Sequence, residues 1–198
     1  MQWPSVSVFS GGRRNARRSV AWLAAAALVS FPAVGTAQTS PDPTVREASG
    51  VYFVSAVLSA AGPAAIALAT LTDYEHIPQF MRAVKTSTVL ERGDGHARVE
   101  QEAVASFLWF NRRIHLTLDI QEQPGTIHFT DRCGKSFERY EGTWTVTERE
   151  GRTTIGYELA AKPTFEVPEF LLKRLLKRDA QQMIAQLQTE IAARAARD

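Results

Sequence analysis

From Val84 to Ala161 hydrophobic and polar positions alternate with a period of two; beyond Pro168 the period lengthens to three and four. The cleanest alternation sets Ile114, Leu116, Leu118 and Ile120 against Arg113, His115, Thr117 and Asp119. This predicts a strand over 113–120. Similar patterns predict strands over Val84–Glu91, His96–Ala105, Thr126–Asp131, Phe137–Thr147 and Thr153–Ala161. Within them Val99, Gln101, Ala103 and Ala105 share a face, as do Ile127 with Phe129, Tyr140 and Gly142 with Trp144 and Val146, and Ile155 with Tyr157 and Leu159. Turn residues at Arg92-Gly93-Asp94-Gly95, Pro124-Gly125 and Glu148 to Arg152 separate these stretches by only a few positions. Parallel pairs need crossovers of a dozen residues or more, so the strands form an antiparallel meander.

Upstream, Ser49–Leu58 is apolar and β-branched, and predicts a first strand with Val51, Phe53 and Val57 on one face. Gly62-Pro63 opens a short helix over Ala64–Leu71, with Pro63 suited to the first turn. Asp73 is placed to cap a second short helical piece, whose apolar side is Ile77, Phe80 and Met81 and whose length Pro78 limits. The final stretch predicts one long helix from Pro168 to about Ala195. Leu172, Leu176, Ala180, Met183, Leu187 and Ile191 recur at helical spacing, and Phe170, Leu171 and Leu175 widen the stripe near its start. That width suits packing on a sheet. Lys173, Arg174, Lys177 and Arg178 fall on its solvated flank, where their stems cover apolar surface.

Composition changes the picture mainly at the N-terminus. Arg13, Arg14, Arg17 and Arg18 precede the apolar stretch Val20 to Phe31, followed by Pro32 and Gly35-Thr36-Ala37. This is the pattern of a secretory signal peptide over residues 1–37, with cleavage after Ala37, and the apolar stretch is too short for a membrane span. Residues 38–48 then read as a flexible leader and 49–198 as one domain, exported to the periplasm or secreted. The 23 basic side chains include those four arginines and the 21 acidic ones include none before residue 38. The remainder therefore carries 19 against 21, a formal net of −2. The basic character of the whole chain resides in the export signal, so no nucleic-acid partner is expected. Cys133 is the only cysteine, which excludes an intramolecular disulfide and a four-cysteine zinc site.

The stretch Leu71-Thr72-Asp73-Tyr74-Glu75-His76-Ile77-Pro78-Gln79-Phe80 resembles the signature that follows the first strand in the polyketide cyclase/dehydrase and coenzyme Q-binding branch of the START-like (SRPBCC) superfamily. Val99-Glu100-Gln101, Gly142-Thr143-Trp144 followed by Thr153-Thr154-Ile155-Gly156-Tyr157, and Pro163-Thr164-Phe165-Glu166-Val167-Pro168-Glu169-Phe170-Leu171-Leu172 continue the resemblance, which spans roughly residues 50–194. It implies an α+β helix-grip fold. In this fold a bent antiparallel sheet of about seven strands wraps a long C-terminal helix, with two short helices between strands one and two. It also implies an elongated, largely apolar cavity for a lipid, isoprenoid or quinone, sterol or polyketide-like molecule. The family includes enzymes as well as carriers, and fold alone does not settle chemistry.

The residues offer little for catalysis. There is no glycine-rich phosphate loop, His-Glu-x-x-His arrangement or calcium-loop pattern. Cys133 lies near Asp131, Arg132 and Lys135 without a histidine at an informative spacing, so it reads as an incidental thiol. His115 and His128 with Asp119 are the conceivable metal ligands, but single histidines in strands more often serve as ordinary polar positions. Neither a catalytic residue nor a metal or other cofactor is assigned. The aromatic inventory points instead to a small-molecule site. The expected ligand-binding set is Phe80, Met81, Phe107, Phe129, Tyr140, Trp144, Tyr157, Phe165, Leu172, Leu176 and Met183, with His76, His115 and Arg139 as polar contacts. Trp109-Phe110-Asn111-Arg112-Arg113 is mixed aromatic and basic, a charged strand edge with scope for transient membrane contact. The sequence therefore reads as a protein that binds or transports a hydrophobic small molecule non-covalently. The alternatives are a cyclase or dehydratase using the same cavity, and a protein-interaction module of the kind that ribosome-associated toxin-like relatives suggest.

Overall fold

The alternating stretches all pair antiparallel with their neighbours, and together they form one open sheet. The computed structural model describes residues 42–106 and 111–197. The strands are β1 (Thr44–Ala48), β2 (Val51–Ala60), β3 (Val84–Gly93), β4 (His96–Ser106), β5 (Asn111–Gln123), β6 (Thr126–Asp131), β7 (Phe137–Arg149) and β8 (Arg152–Pro163). They are ordered β1-β2-β8-β7-β6-β5-β4-β3. Helix α1 (Ala64–Leu71), a 3-10 turn at Tyr74–His76 and α2 (Ile77–Phe80) link β2 to β3, and α3 (Glu169–Ala195) ends the fold. This is the helix-grip arrangement that the resemblance implied, with eight strands in place of about seven.

The added strand comes from the segment read as leader. Thr44–Ala48 pairs with β2 from Thr44↔Ser55 to Ala48↔Val51. It offers few apolar positions because it is an edge strand, half in water. The hairpin turn at Ser49 and Gly50 has φ of 55° and 77°, the left-handed pair that matches the twist of two antiparallel strands. Residues 1–37, with the proposed export signal, lie outside the described residues.

Two other expectations are corrected. On β2 the core face is Tyr52, Val54, Ala56 and Leu58, whereas Val57 is 66% exposed. Both parities of this strand are apolar, so register decides: Val54 pairs with Leu159, Ala56 with Tyr157 and Leu58 with Ile155, all on the core face of β8. Asp73 makes no side-chain cap. Its carboxylate instead accepts from Arg194 at 2.8 Å and lies 2.6 Å from His76 Nδ1.

The core lies between the concave face of the sheet and α3. Ile155, Ile184, Leu187, Ile191 and Val99 are its most completely buried large side chains. Gly142 is required on β7, because a Cβ there would stand 2.3 Å from Glu158 O and 2.5 Å from Phe129 Cζ. The Phe129 ring covers this glycine from the neighbouring strand. At the C-terminal end of α3 the Ala195 Cβ occupies the space a Gly62 side chain would need, and Thr153 Oγ1 donates to Gly62 O at 2.8 Å. No helix among the described residues is long and apolar enough to cross a membrane.

Candidate functional site

Helix α3 makes its main sheet contacts with β2 and β1, and its C-terminal half packs on α1 and α2. It therefore leans to one side of the sheet. Toward β4 and β5 a cavity of about 880 Å³ remains between helix and sheet, floored also by β7 and β8. That is within the range of small-molecule sites. Small side chains keep it open: Ala103 and Ala105 on β4, Ala161 on β8 and Ala180 on α3 all line it, where larger residues would fill the space.

The buried walls are Val54, Ile114, Leu116, Leu159, Leu172 and Leu175, joined by the partly buried Phe80, Met81, Phe137, Phe165, Leu176 and Met183. One end is closed by the connection between β8 and α3. Thr164 is held to Ser136 O by its backbone N–H, at 3.1 Å. This places Phe165 with its ring centroid 6.5 Å from that of Phe137, and the Arg112 guanidinium covers Phe165 at 4.0 Å. The mouth lies along the strand-edge side. There the exposed residues Gln79, Arg82, Lys85, Ser106, Arg178 and Gln182 rim the opening.

Three neutral polar side chains reach the interior. Gln101 donates from Nε2 to Ser87 Oγ at 3.1 Å, which leaves its carbonyl oxygen for another partner. Tyr140 and Tyr157 also line the cavity. Burial pushes the Tyr140 phenol up to about 12, aided by the charge of Asp131. Burial likewise raises Tyr157 well above the ordinary phenol value, with Tyr140 adding to the effect. Both phenols are therefore neutral near pH 7; Tyr157 donates to Tyr140, which leaves the Tyr140 hydroxyl to donate to a ligand oxygen. Asp179, half-buried at the rim, is raised chiefly by burial and partly restrained by Arg178, 3.2 Å away.

Of the ligand-binding set read from sequence, the fold brings Phe80, Met81, Tyr140, Tyr157, Phe165, Leu172, Leu176 and Met183 together around this cavity. Phe129 and Trp144 stand behind it. Trp144 packs against Tyr157 with the rings tilted by 37° and centroids 4.3 Å apart, and Phe129 lies 5.9 Å from Tyr140. Phe107 is outside the described residues. The three polar contacts do not reach the lining: His76 pairs with Asp73, His115 lies 3.3 Å from Glu102, and Arg139 donates to Glu141 at 2.9 Å. His115 and Arg139 stand on the solvated face because the strand parity that turns their apolar neighbours inward turns them outward, and His76 is exposed on the 3-10 turn. Gln101 was the polar residue to choose, since it alone broke the apolar face shared by Val99, Ala103 and Ala105. The rim residues Arg82 and Lys85 carried no such signal, because only the fold carries their turn to α3.

The other groups weighed for chemistry are engaged elsewhere. Asp119 accepts from Arg98 at 2.9 Å and Arg132 at 2.8 Å, and His128 Nδ1 lies 2.9 Å from Thr143 Oγ1. They do not converge with His115, and among the described residues no three His, Cys, Asp or Glu side chains form a metal-binding group. Cys133 sits in a turn organised by Asp131, whose carboxylate accepts from the backbone of Thr117, Cys133 and Gly134 at 2.8–3.1 Å.

Residues 61–188 match the family described as polyketide cyclase / dehydrase and lipid transport. The fold is also that of several solved proteins. A STAR-related lipid transfer protein from Xanthomonas axonopodis aligns with a TM-score of 0.59 at 16% identity, over 76% of this chain and 99% of that one. The Zhui aromatase/cyclase from a Streptomyces species aligns at 0.62 and 14% identity, over 73% of this chain and 95% of that one. A START superfamily protein from Mycobacterium smegmatis aligns at 0.59 and 16%, over 71% and 97%. No curated protein matches the sequence. At these identities the structural likeness establishes the fold alone.

Proposed function

We propose that this chain, a member of the polyketide cyclase / dehydrase and lipid transport family, binds a hydrophobic small molecule non-covalently between its sheet and α3. The observation that carries the reading is the cavity itself: about 880 Å³, with apolar buried walls and three neutral polar groups. A ligand that buries about 300 Å² of apolar surface there gains roughly 7 kcal/mol before the costs of association. Gln101 and Tyr140, the latter held by Tyr157, fix its orientation through hydrogen bonds to an oxygen-bearing group.

A carrier returns its ligand unchanged, whereas a cyclase or dehydratase converts it. Native mass spectrometry of protein purified from its host's cell envelope, followed by extraction of the bound compound, separates the two. Recovery of an unmodified lipid, isoprenoid or polyketide-like molecule is the expected result. Absence of any ligand, together with failure to bind a neutral environment-sensitive dye, defeats the proposal.

Export belongs to the same reading and is supported by the pattern of residues 1–37. N-terminal sequencing of the mature protein should begin at Gln38, and a mature chain that retains the arginine cluster refutes it. Transient membrane contact is supported by Phe170, 76% exposed at the start of α3 beside Lys173 and Arg174. Co-sedimentation with vesicles of mixed neutral and anionic lipid should weaken in Phe170→Ser, and an unchanged bound fraction removes this element.

A further inference from the structure

We infer that the ligand is an amphiphile with an anionic head, a carboxylate or a phosphate monoester. Arg82 and Lys85 hold this head at the cavity mouth while the apolar body lies inside. The inference rests on the cavity reading above and deepens it.

The charges around the opening are unequally matched. Five charged residues line it: Arg82, Lys85, Arg178, Asp179 and Glu190. Arg178 neutralises Asp179 at 3.2 Å and also donates to Ser106 O at 2.7 Å. Glu190 takes the Arg194 Nε at 2.8 Å. Both carboxylates are thus satisfied by arginines. Among the described residues, Arg82 and Lys85 have no carboxylate within ion-pair distance.

Their positions are set by the backbone. The Arg82 N–H donates to Gln186 Oε1 at 3.2 Å, which ties the turn between α2 and β3 to α3 across the mouth. Lys85 Nζ donates to Arg82 O at 2.8 Å, so the two cations are held on one short turn. The interior offers no complement to a charge, since its polar groups are the amide of Gln101 and two neutral phenols. An ionised head placed there would lose its hydration for neutral hydrogen bonds only. At the rim the same head keeps part of its water and gains two cations, while a cationic head would meet repulsion. Among the lining residues the unpaired charge therefore stands at the mouth, with Arg82 and Lys85, and the far end is closed by the rings of Phe137 and Phe165, the latter covered by the Arg112 guanidinium.

The test is displacement of a neutral environment-sensitive dye from the purified protein at pH 7 and low salt. Four competitors of equal chain length are used below their micellar concentrations: dodecanoate, dodecyl phosphate, dodecanol and dodecylammonium. The expected order places one or both anions roughly 3- to 10-fold tighter than dodecanol, as two half-solvated ion pairs allow, with dodecylammonium weakest. Which anion leads identifies the head group. In an Arg82→Gln/Lys85→Gln variant the anion preference should vanish while dodecanol affinity stays, which also shows that the cavity remains folded. Equal binding of anions and dodecanol, or a preference that survives in the variant, overturns the inference and leaves the cavity reading intact. If neither the dye nor any competitor binds, both fall.

Discussion

Arg194 Nη2 lies 2.8 Å from Asp73 Oδ2, joining the last turn of α3 to the 3-10 turn between α1 and α2. The same guanidinium holds Glu190 at 2.8 Å, and its Cζ lies 5.8 Å from the Phe80 ring centroid. Phe80 is a wall of the cavity, so this latch fixes one wall relative to the helix that forms another. The Arg82–Gln186 hydrogen bond ties the turn at the other end of α2 to the same helix.

Replacing Arg194 with Gln should cost about 1 kcal/mol of stability, since the pair is partly solvated and each charged hydrogen bond is discounted accordingly. Urea unfolding should show a lower midpoint with an unchanged slope. A change below a few tenths of a kcal/mol would mean that the latch is ornamental.

Burial works to raise the Asp73 carboxyl, but hydrogen bonds from His76 and Arg194 outweigh it and hold the group below the usual aspartate value. A depressed folded pKa contributes stability in full above the unfolded value of about 4, lost as pH falls through the folded value. The stability difference between the parent and Asp73→Asn should therefore be constant near neutrality and shrink below about pH 4. Denaturant melts between pH 6 and pH 3 check this.

If the small residues of the floor keep the cavity open, Ala103→Phe should reduce dye and ligand binding by more than tenfold. Thermal stability should hold or rise, because the new ring occupies empty space instead of displacing packed atoms. Loss of binding together with loss of cooperative unfolding would point to overpacking instead.

All four tyrosines, Tyr52, Tyr74, Tyr140 and Tyr157, are raised, each mainly by burial. A raised folded pKa contributes stability that is present below the unfolded phenol value of about 10 and is lost as pH rises through the folded value. Ultraviolet titration should therefore show less phenolate at pH 10 than four solvated phenols would give, with Tyr74, Tyr140 and Tyr157 ionising only as tertiary circular dichroism is lost. A normal phenol titration in the folded protein would contradict the buried placement.

Gly142→Ala should destabilise by about 1–3 kcal/mol, because the added methyl meets a backbone oxygen as well as the Phe129 ring. A second substitution, Phe129→Leu, relieves only the ring contact and should recover part of the loss at most.

Much of this protein was legible as a sequence. Ile114, Leu116, Leu118 and Ile120 alternate without exception, and β5 has them buried on one face. The long helix was predicted within a residue or two of its observed ends. Short-range periodicity dictates such elements directly, because one face of each must leave water. The first β-hairpin was not legible in the same way, since an edge strand half in water needs no apolar pattern.

The helix stripe shows where sequence stops. Leu187 and Ile191 are packed in the core as their spacing requires, whereas Leu172, Leu176, Ala180 and Met183, at equivalent spacing, face the cavity. Periodicity states which side of a helix is apolar, but not whether protein or empty space lies opposite. Sequence by itself therefore determined seven of the eight strands, the long helix and the grip between them. Only the tertiary structure decided that α3 leans toward β1 and β2, which leaves the cavity toward β4 and β5. It also brought Arg82 and Lys85 to the mouth while His76, His115 and Arg139 remained on solvated faces. These outcomes depend on register and on contacts between residues a hundred positions apart, and no local pattern records them.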